Sequence, residues 1–176
     1  MKGIILYQSK YGATKKYVDW LKEETGFDVE ESKKADIKLV KDYDFIILAG
    51  GIYASGLAGL PFLKRHIDDL SDKKIIVLAV GATPHADDVV NYMTTHNLKD
   101  KLAGIPLVYA RGAWDLSSMN FIDRNLCKLL IKSVQKKDPE QLEMWEQALV
   151  AAGDNKGDWT DKKYLEPIYE FIKKNS

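Results

Sequence analysis

The sequence predicts an α/β domain with a doubly wound parallel sheet. Three observations carry this. Four short apolar runs are continuous rather than alternating, which is the pattern of strands buried on both faces. Helical patterns lie between them. Each run also stops at glycine or small polar residues, where a strand would leave the sheet.

The strands are predicted at Gly3 to Tyr7, Asp44 to Ala49 ("DFIILA"), Lys74 to Val80 ("KIIVLAV") and Ile105 to Ala110 ("IPLVYA"). A weaker one lies at Phe27 to Glu31, where polar alternation suits a sheet edge. The first helix, Ala13 to Glu24, places Tyr17, Val18 and Leu21 on one face. Leu60 to Leu70 does the same with Phe62, Leu63, His66, Ile67 and Leu70. A short helix is predicted over Asp87 to Thr95 and a strong one over Asn120 to Lys137. Asp138-Pro139-Glu140-Gln141 reads as a helix restart, with Asp138 as N-cap, Pro139 in the first turn and Gln141 in the capping-box place. A last helix covers Asp161 to Lys174. Right-handed crossovers put helices on both faces, and ligands then sit beyond the carboxyl ends of the strands.

Composition excludes several function classes. The 176 residues suit one domain. Lysine plus arginine number 26 and aspartate plus glutamate 26, so no net charge draws the chain to nucleic acid. One cysteine, Cys127, allows no internal disulfide. No apolar run is long enough to span a bilayer, and Met-Lys runs straight into a strand without the order of a signal peptide, so a cytoplasmic protein is expected. Neither a metal site nor a side-chain acid or base is called for.

After the first strand comes "LYQSKYGAT", in which Ser9, Tyr11 and Thr14 surround Gly12 just before a helix. Hydroxyls and free amides at a helix start make an anion site, and a phosphate is the natural guest. A plain N-cap turn reads the same residues equally well. Walker A and G-x-G-x-x-G loops are missing after this strand. The acidic cluster of a receiver-type signalling domain is also missing, since Gln8-Ser9 and Gly50-Gly51 hold those places.

Four segments together carry a family resemblance. "SKYGAT" resembles the flavodoxin phosphate loop. "AGGIYASG" (Ala49 to Gly56) resembles the flavin-side loop, and "VGATP" (Val80 to Pro84) stands where that family brings backbone to the other side of the ring. "RGAWDLSSMNFIDRNLCKLLIK" resembles the segment after the last strand in the protoporphyrinogen-oxidase-like branch, with Gly112, Asp115, Phe121, Asp123 and Arg124 as matching residues. The resemblance implies a flavodoxin-like five-stranded parallel sheet in the order 2-1-3-4-5, over residues 1–176, with a helical insertion at about 112–160. It implies FMN as cofactor. Ser9, Lys10, Tyr11, Gly12, Ala13 and Thr14 would take the phosphate. Gly51, Ile52, Tyr53, Ala54, Gly81, Ala82, Thr83, Gly112 and Trp114 would line the ring, with Gly50-Gly51 leaving room for a peptide to reorient.

For Tyr53, ring stacking and plain packing on the next helix stand level. For Trp114, a turn after Arg111-Gly112 is the stronger reading. His85 follows the third loop as an exposed residue or a substrate contact. His66 is expected at a core boundary and Cys127 buried on a helix. Arg124, Lys128, Lys132 and Lys136 recur every four residues opposite Leu126, Leu129, Leu130 and Val134. That face is either a solvated basic side of a packed helix or, over 120–137, a peripheral membrane contact. The stretch after it, Asp138 to Asp161, is acidic and aromatic, which departs from the branch pattern.

Two functions follow. One is an FMN-dependent oxidoreductase, protoporphyrinogen-oxidase-like, passing electrons to a quinone or protein acceptor. The other is a non-enzymatic flavodoxin carrier between redox proteins, against which the neutral charge speaks. A flavin-free binding module is the third reading, and the intact first loop opposes it.

Overall fold

A computed structural model describes residues 2–53, 55–153 and 156–176. In chain order the strands are β1 (Gly3–Gln8), β2 (Asp28–Glu31), β3 (Phe45–Tyr53), β4 (Gly56–Leu57), β5 (Lys74–Gly81), β6 (Leu107–Arg111), β7 (Ala113–Asp115) and β8 (Lys156–Asp158). The helices are α1 (Ala13–Thr25), α2 (Ile37–Val40), α3 (Leu60–His66), α4 (Asp87–Asn97), α5 (Phe121–Val134), α6 (Met144–Ala152) and α7 (Glu166–Asn175).

The central sheet runs β2-β1-β3-β5-β6, all parallel, with β4 folded back antiparallel on the end of β3. Alternate side chains of the apolar runs enter two cores. Ile4, Leu6, Ile46, Leu48, Val77 and Ala79 meet the side of α2, α3 and α4. Ile5, Ile47, Ala49, Ile76, Leu78 and Val80 meet Tyr17, Val18 and Leu21 of α1 and Ile168 of α7. Double coverage is why β3 and β5 lack polar alternation. The Asp28–Glu31 strand lies at the edge, as its polar pattern predicts.

Four expectations need correction. β3 continues through Gly50, Gly51, Ile52 and Tyr53, so the predicted loop from Ala49 is largely strand, and the glycine pair is hydrogen-bonded sheet rather than a freely reorienting turn. Helix α3 ends at His66, and a tighter 3₁₀ turn carries Ile67 to Leu70. Asp138 caps only a single 3₁₀ turn by accepting from Glu140 N–H. The helix starts later, where Glu143 and Glu146 form a reciprocal capping box. Cys127 is only partly covered.

The segment from β7 to β8 stands apart from the central sheet. β7 and β8 pair antiparallel across more than forty residues, and α5 packs against α6. Tyr17 ties this region back. Its hydroxyl donates to the Arg111 carbonyl at 2.7 Å and accepts from Asp161 N–H at 3.0 Å, and burial pushes its pKa up to about 12.

Candidate functional site

The strand register brings four loops to one edge. Gln8 pairs with Gly50, Gly51 with Val80, and Gly81 with Arg111, so the carboxyl ends of β1, β3, β5 and β6 finish side by side. A cavity of about 860 Å³ opens there. Of the predicted residues, Ser9, Lys10, Tyr11, Ala13, Thr14, Gly51, Ile52, Tyr53, Gly81, Ala82, Thr83, Gly112 and Trp114 line it. Gly12 shapes the first loop without lining the cavity, and Ala54 lies outside the described residues.

The first loop is built for an anion. Gly12 sits at the cap of α1 with φ at +95°, a left-handed conformation that costs an L side chain about 1 kcal/mol or more. That turn aims the first amides of α1 outward. Among the described residues, the N–H groups of Tyr11, Ala13 and Thr14 have no hydrogen-bond partner in the protein, as expected of a helix start. Ser9 Oγ accepts from Gly12 N–H at 3.2 Å and from Lys15 N–H at 3.4 Å, which leaves its own proton to donate. Thr14 is only 3% exposed, and its hydroxyl finds no partner among the described residues. Donors that open on the cavity in this way fit a phosphate dianion.

Residues far away in sequence pin each loop. For the first, Asp123 at the start of α5 pairs with Lys10 Nζ and accepts from the Tyr11 hydroxyl, while Asn120 Nδ2 donates to Asp123 at 3.0 Å. Lys10 and the Tyr11 hydroxyl hold the Asp123 carboxyl below its usual range. Partial burial and that carboxylate push Tyr11 up to about 12. Lys10 N–H also donates to the Tyr53 hydroxyl at 3.2 Å, joining the first loop to the second.

The second loop hangs on Asn97. This buried side chain accepts from Leu57 N–H at 2.9 Å and donates to the Ser55 and Met93 carbonyls at 3.1 and 3.0 Å. The third is held by Tyr109, whose hydroxyl donates to the Thr83 carbonyl at 2.8 Å, and by Arg111 Nε, which donates to the Ala82 carbonyl at 3.2 Å. Asn97, Tyr109 and Arg111 escape a reading of local motifs, whereas Asp123 stands among the residues matched to the family's helix start after the last strand.

Tyr53 is 41% exposed and edges the cavity. Trp114 sits on β7, not in a free turn, and its Nε1–H donates to the Gly153 carbonyl at 3.0 Å. His85 is exposed, stacks on Tyr164 and does not line the cavity. His66 is partly covered beside Phe62. No cluster of metal-ligating side chains occurs among the described residues.

The fold and the loop together define a doubly wound α/β protein with a cavity at the carboxyl ends of its strands. The family model described as "Flavodoxin domain" matches residues 4–141, which is most of the chain, and the protein belongs to that family. Among solved structures, a flavodoxin from the domain Archaea is 14% identical, with 72% of this chain and 91% of that one covered and a TM-score of 0.41. The two-electron reduced flavodoxin of Megasphaera elsdenii is 19% identical, with 61% and 82% covered and a TM-score of 0.42. A WrbA-like protein from Agrobacterium tumefaciens is 18% identical, with 70% and 87% covered and a TM-score of 0.41. Curated proteins give no significant sequence match.

Proposed function

We propose that the protein is an FMN-dependent electron-transfer flavoprotein, an oxidoreductase similar to the protoporphyrinogen-oxidase-like branch of the flavodoxins, with a quinone or protein as acceptor. The observation that carries the cofactor is the set of free donors at the cavity, the N–H groups of Tyr11, Ala13 and Thr14 and the hydroxyl protons of Ser9 and Thr14. FMN supplies the redox chemistry when bound. The chain's own residues bind and orient it: the first loop takes the phosphate, and Ile52, Tyr53, Ala82 and Thr83 flank the ring.

The extension after β6 favours the oxidase reading over the simple carrier, because α5 and α6 wall one side of the cavity that a carrier would leave open to its partner. Purified protein should show a flavin absorption band on adding FMN and should then oxidise a porphyrinogen with a quinone as acceptor. FMN-loaded protein that oxidises no porphyrinogen and reduces no quinone would refute the enzymatic reading.

The partner surface is proposed on α5. Phe121, Ile122, Leu126 and Leu129 are 76%, 76%, 63% and 66% exposed, and Lys128 and Lys132 lie beside them. Exposed apolar residues edged by lysines suit an anionic lipid surface. No helix among the described residues is long and apolar enough to cross a membrane, and the contact proposed is a peripheral one. Co-sedimentation with vesicles rich in anionic lipid is expected, and Leu126→Glu with Leu129→Glu should abolish it. Equal binding to neutral vesicles would contradict the electrostatic part.

Asp123 competes with the cofactor phosphate for Lys10. Asp123→Asn should therefore tighten FMN binding about threefold at low salt, and the gain should fade at high salt, as exposed ion pairs do. Flavin fluorescence titration measures both, and an unchanged affinity at low salt would contradict the competition.

A further inference from the structure

Three successive carbonyls of the third loop are engaged by β6 and the residue after it. The Gly81 carbonyl accepts from Gly112 N–H at 2.7 Å, the Ala82 carbonyl from Arg111 Nε–H at 3.2 Å, and the Thr83 carbonyl from the Tyr109 hydroxyl at 2.8 Å. In a trans peptide the N–H points opposite to the C=O, and no cis peptide occurs among the described residues. The N–H groups of Ala82 and Thr83 therefore point away from β6. Neither has a partner among the described residues, and both residues line the cavity. Pro84 has no N–H to add. The backbone of this loop thus presents donors, while its acceptors are already engaged.

Arg111 does more than hold a carbonyl. Its guanidinium stays charged at any working pH. Its Cζ lies 4.0 Å from the centre of the Trp159 ring, and Trp159 N–H donates to the Gly112 carbonyl at 3.0 Å. The Tyr17 hydroxyl fixes the Arg111 carbonyl at 2.7 Å, so backbone and side chain are both clamped. Among the described residues, no carboxylate forms an ion pair with Arg111. Lys10, by contrast, is neutralised by Asp123. We propose that Arg111 is a positioning residue that raises the reduction potential of the cofactor, by fixing an unneutralised positive charge behind the amide donors of the third loop; this rests on the FMN reading above.

The argument is one of differential binding. Uptake of two electrons and one proton leaves negative charge along the N1–C2=O edge of a flavin, and a second proton is needed to remove it. A ring lying along Ala82 and Thr83, as the FMN reading places it, would meet donors there. The cation at the Ala82 carbonyl polarises the Ala82–Thr83 peptide toward its N–H end. Hydrogen bonds to a charged acceptor are about twice as strong as those to a neutral one, so the reduced ring gains more than the oxidised ring. The loop then favours the form that has accepted electrons, which suits a protein drawing electrons from an organic reductant.

The test is the two-electron midpoint potential of the FMN-loaded protein, titrated with dithionite against an indicator dye. By linkage, the potential of bound against free FMN gives the ratio of affinities for the reduced and oxidised forms. The native protein should hold reduced FMN about threefold or more tighter than oxidised FMN, a measurement that needs no variant. Arg111→Met, which keeps an apolar chain under Trp159, and Arg111→Gln should each lower that ratio about tenfold, which is a fall of ~30 mV for a two-electron couple. Affinity for oxidised FMN should change by less than about threefold in both. Arg111→Lys keeps the charge and should lose less than about threefold of the ratio. A protein that takes up no FMN fails at the flavin reading and takes this proposal with it. A protein that binds FMN but prefers the oxidised form overturns the role of Arg111 alone. So do Met and Gln variants that keep the parent potential, or a Lys variant that falls as far as the Met variant.

Discussion

Riboflavin is expected to bind about 1,000-fold more weakly than FMN. The two ligands share the ring and the ribityl chain, and they differ only in the phosphate. The ring-side contacts proposed for Ile52, Tyr53, Ala82 and Thr83 are therefore common to both. What riboflavin loses is every interaction with the first loop. The N–H groups of Tyr11, Ala13 and Thr14 and the hydroxyls of Ser9 and Thr14 are the donors without acceptors in the protein. A hydrogen bond to a charged group is worth about 1.5–3 kcal/mol, so two fully formed ones give ~3–6 kcal/mol, or ~10²–10⁴-fold. The positive end of α1 adds to this. Lys10 contributes less than its charge suggests, because Asp123 already holds its ammonium. Quenching of flavin fluorescence measures both affinities. A ratio under about tenfold would mean that the loop from Ser9 to Thr14 is not where the phosphate goes.

How far the sequence announced this site depends on the distance between partners. The first loop's suitability for an anion was legible because its glycine, hydroxyls and helix start lie within six residues of one another. The sheet order was legible from the family resemblance and from the polar character of Asp28–Glu31. Gly50-Gly51 misled for a physical reason. Two adjacent glycines read as a break in a strand, yet here β1 and β5 pair Gly50 from both sides, β5 pairs Gly51, and β4 folds back on Ile52 and Tyr53. Asn97 reaches a hairpin forty residues upstream, and β7 finds β8 across a similar span. Neither has a local signature. The helix restart at Asp138 failed because Glu143 and Glu146 five residues later offer a complete capping box, and a reciprocal pair outcompetes a single cap.

That same glycine pair gives the largest expected loss of stability. Gly50→Ala should cost about 3 kcal/mol or more. A Cβ at Gly50 would stand 2.0 Å from the Ala58 carbonyl oxygen and 3.0 Å from Leu57 Cδ1, with the first of these a backbone atom that no rotamer change can move. Neither side can retreat easily. β3 is paired at this residue to Gln8 of β1 and to Ala79 of β5. The opposing turn is tied by Ala58 N–H to the Gly51 carbonyl at 2.9 Å and by Asn97 to Leu57 N–H at 2.9 Å. To make room, the β3–β4 hairpin must give up these bonds or the strand must leave the sheet. Overpacking against backbone falls among the costliest single substitutions. For a chain of this length, each kcal/mol lowers Tm by ~2–4 °C, so a fall of roughly 6–12 °C is expected in thermal denaturation followed by circular dichroism. Gly51→Ala is the instructive contrast. Its Cβ would meet the Tyr53 hydroxyl at 2.8 Å, a side-chain end that can swing away. That variant should keep most of its stability while moving Tyr53 off Lys10 N–H and out of line with the ring. If Gly50→Ala melts within about 2 °C of the parent, the close approach of β3 to the turn at Ala58 is wrong, and with it the placement of the second loop beside the first.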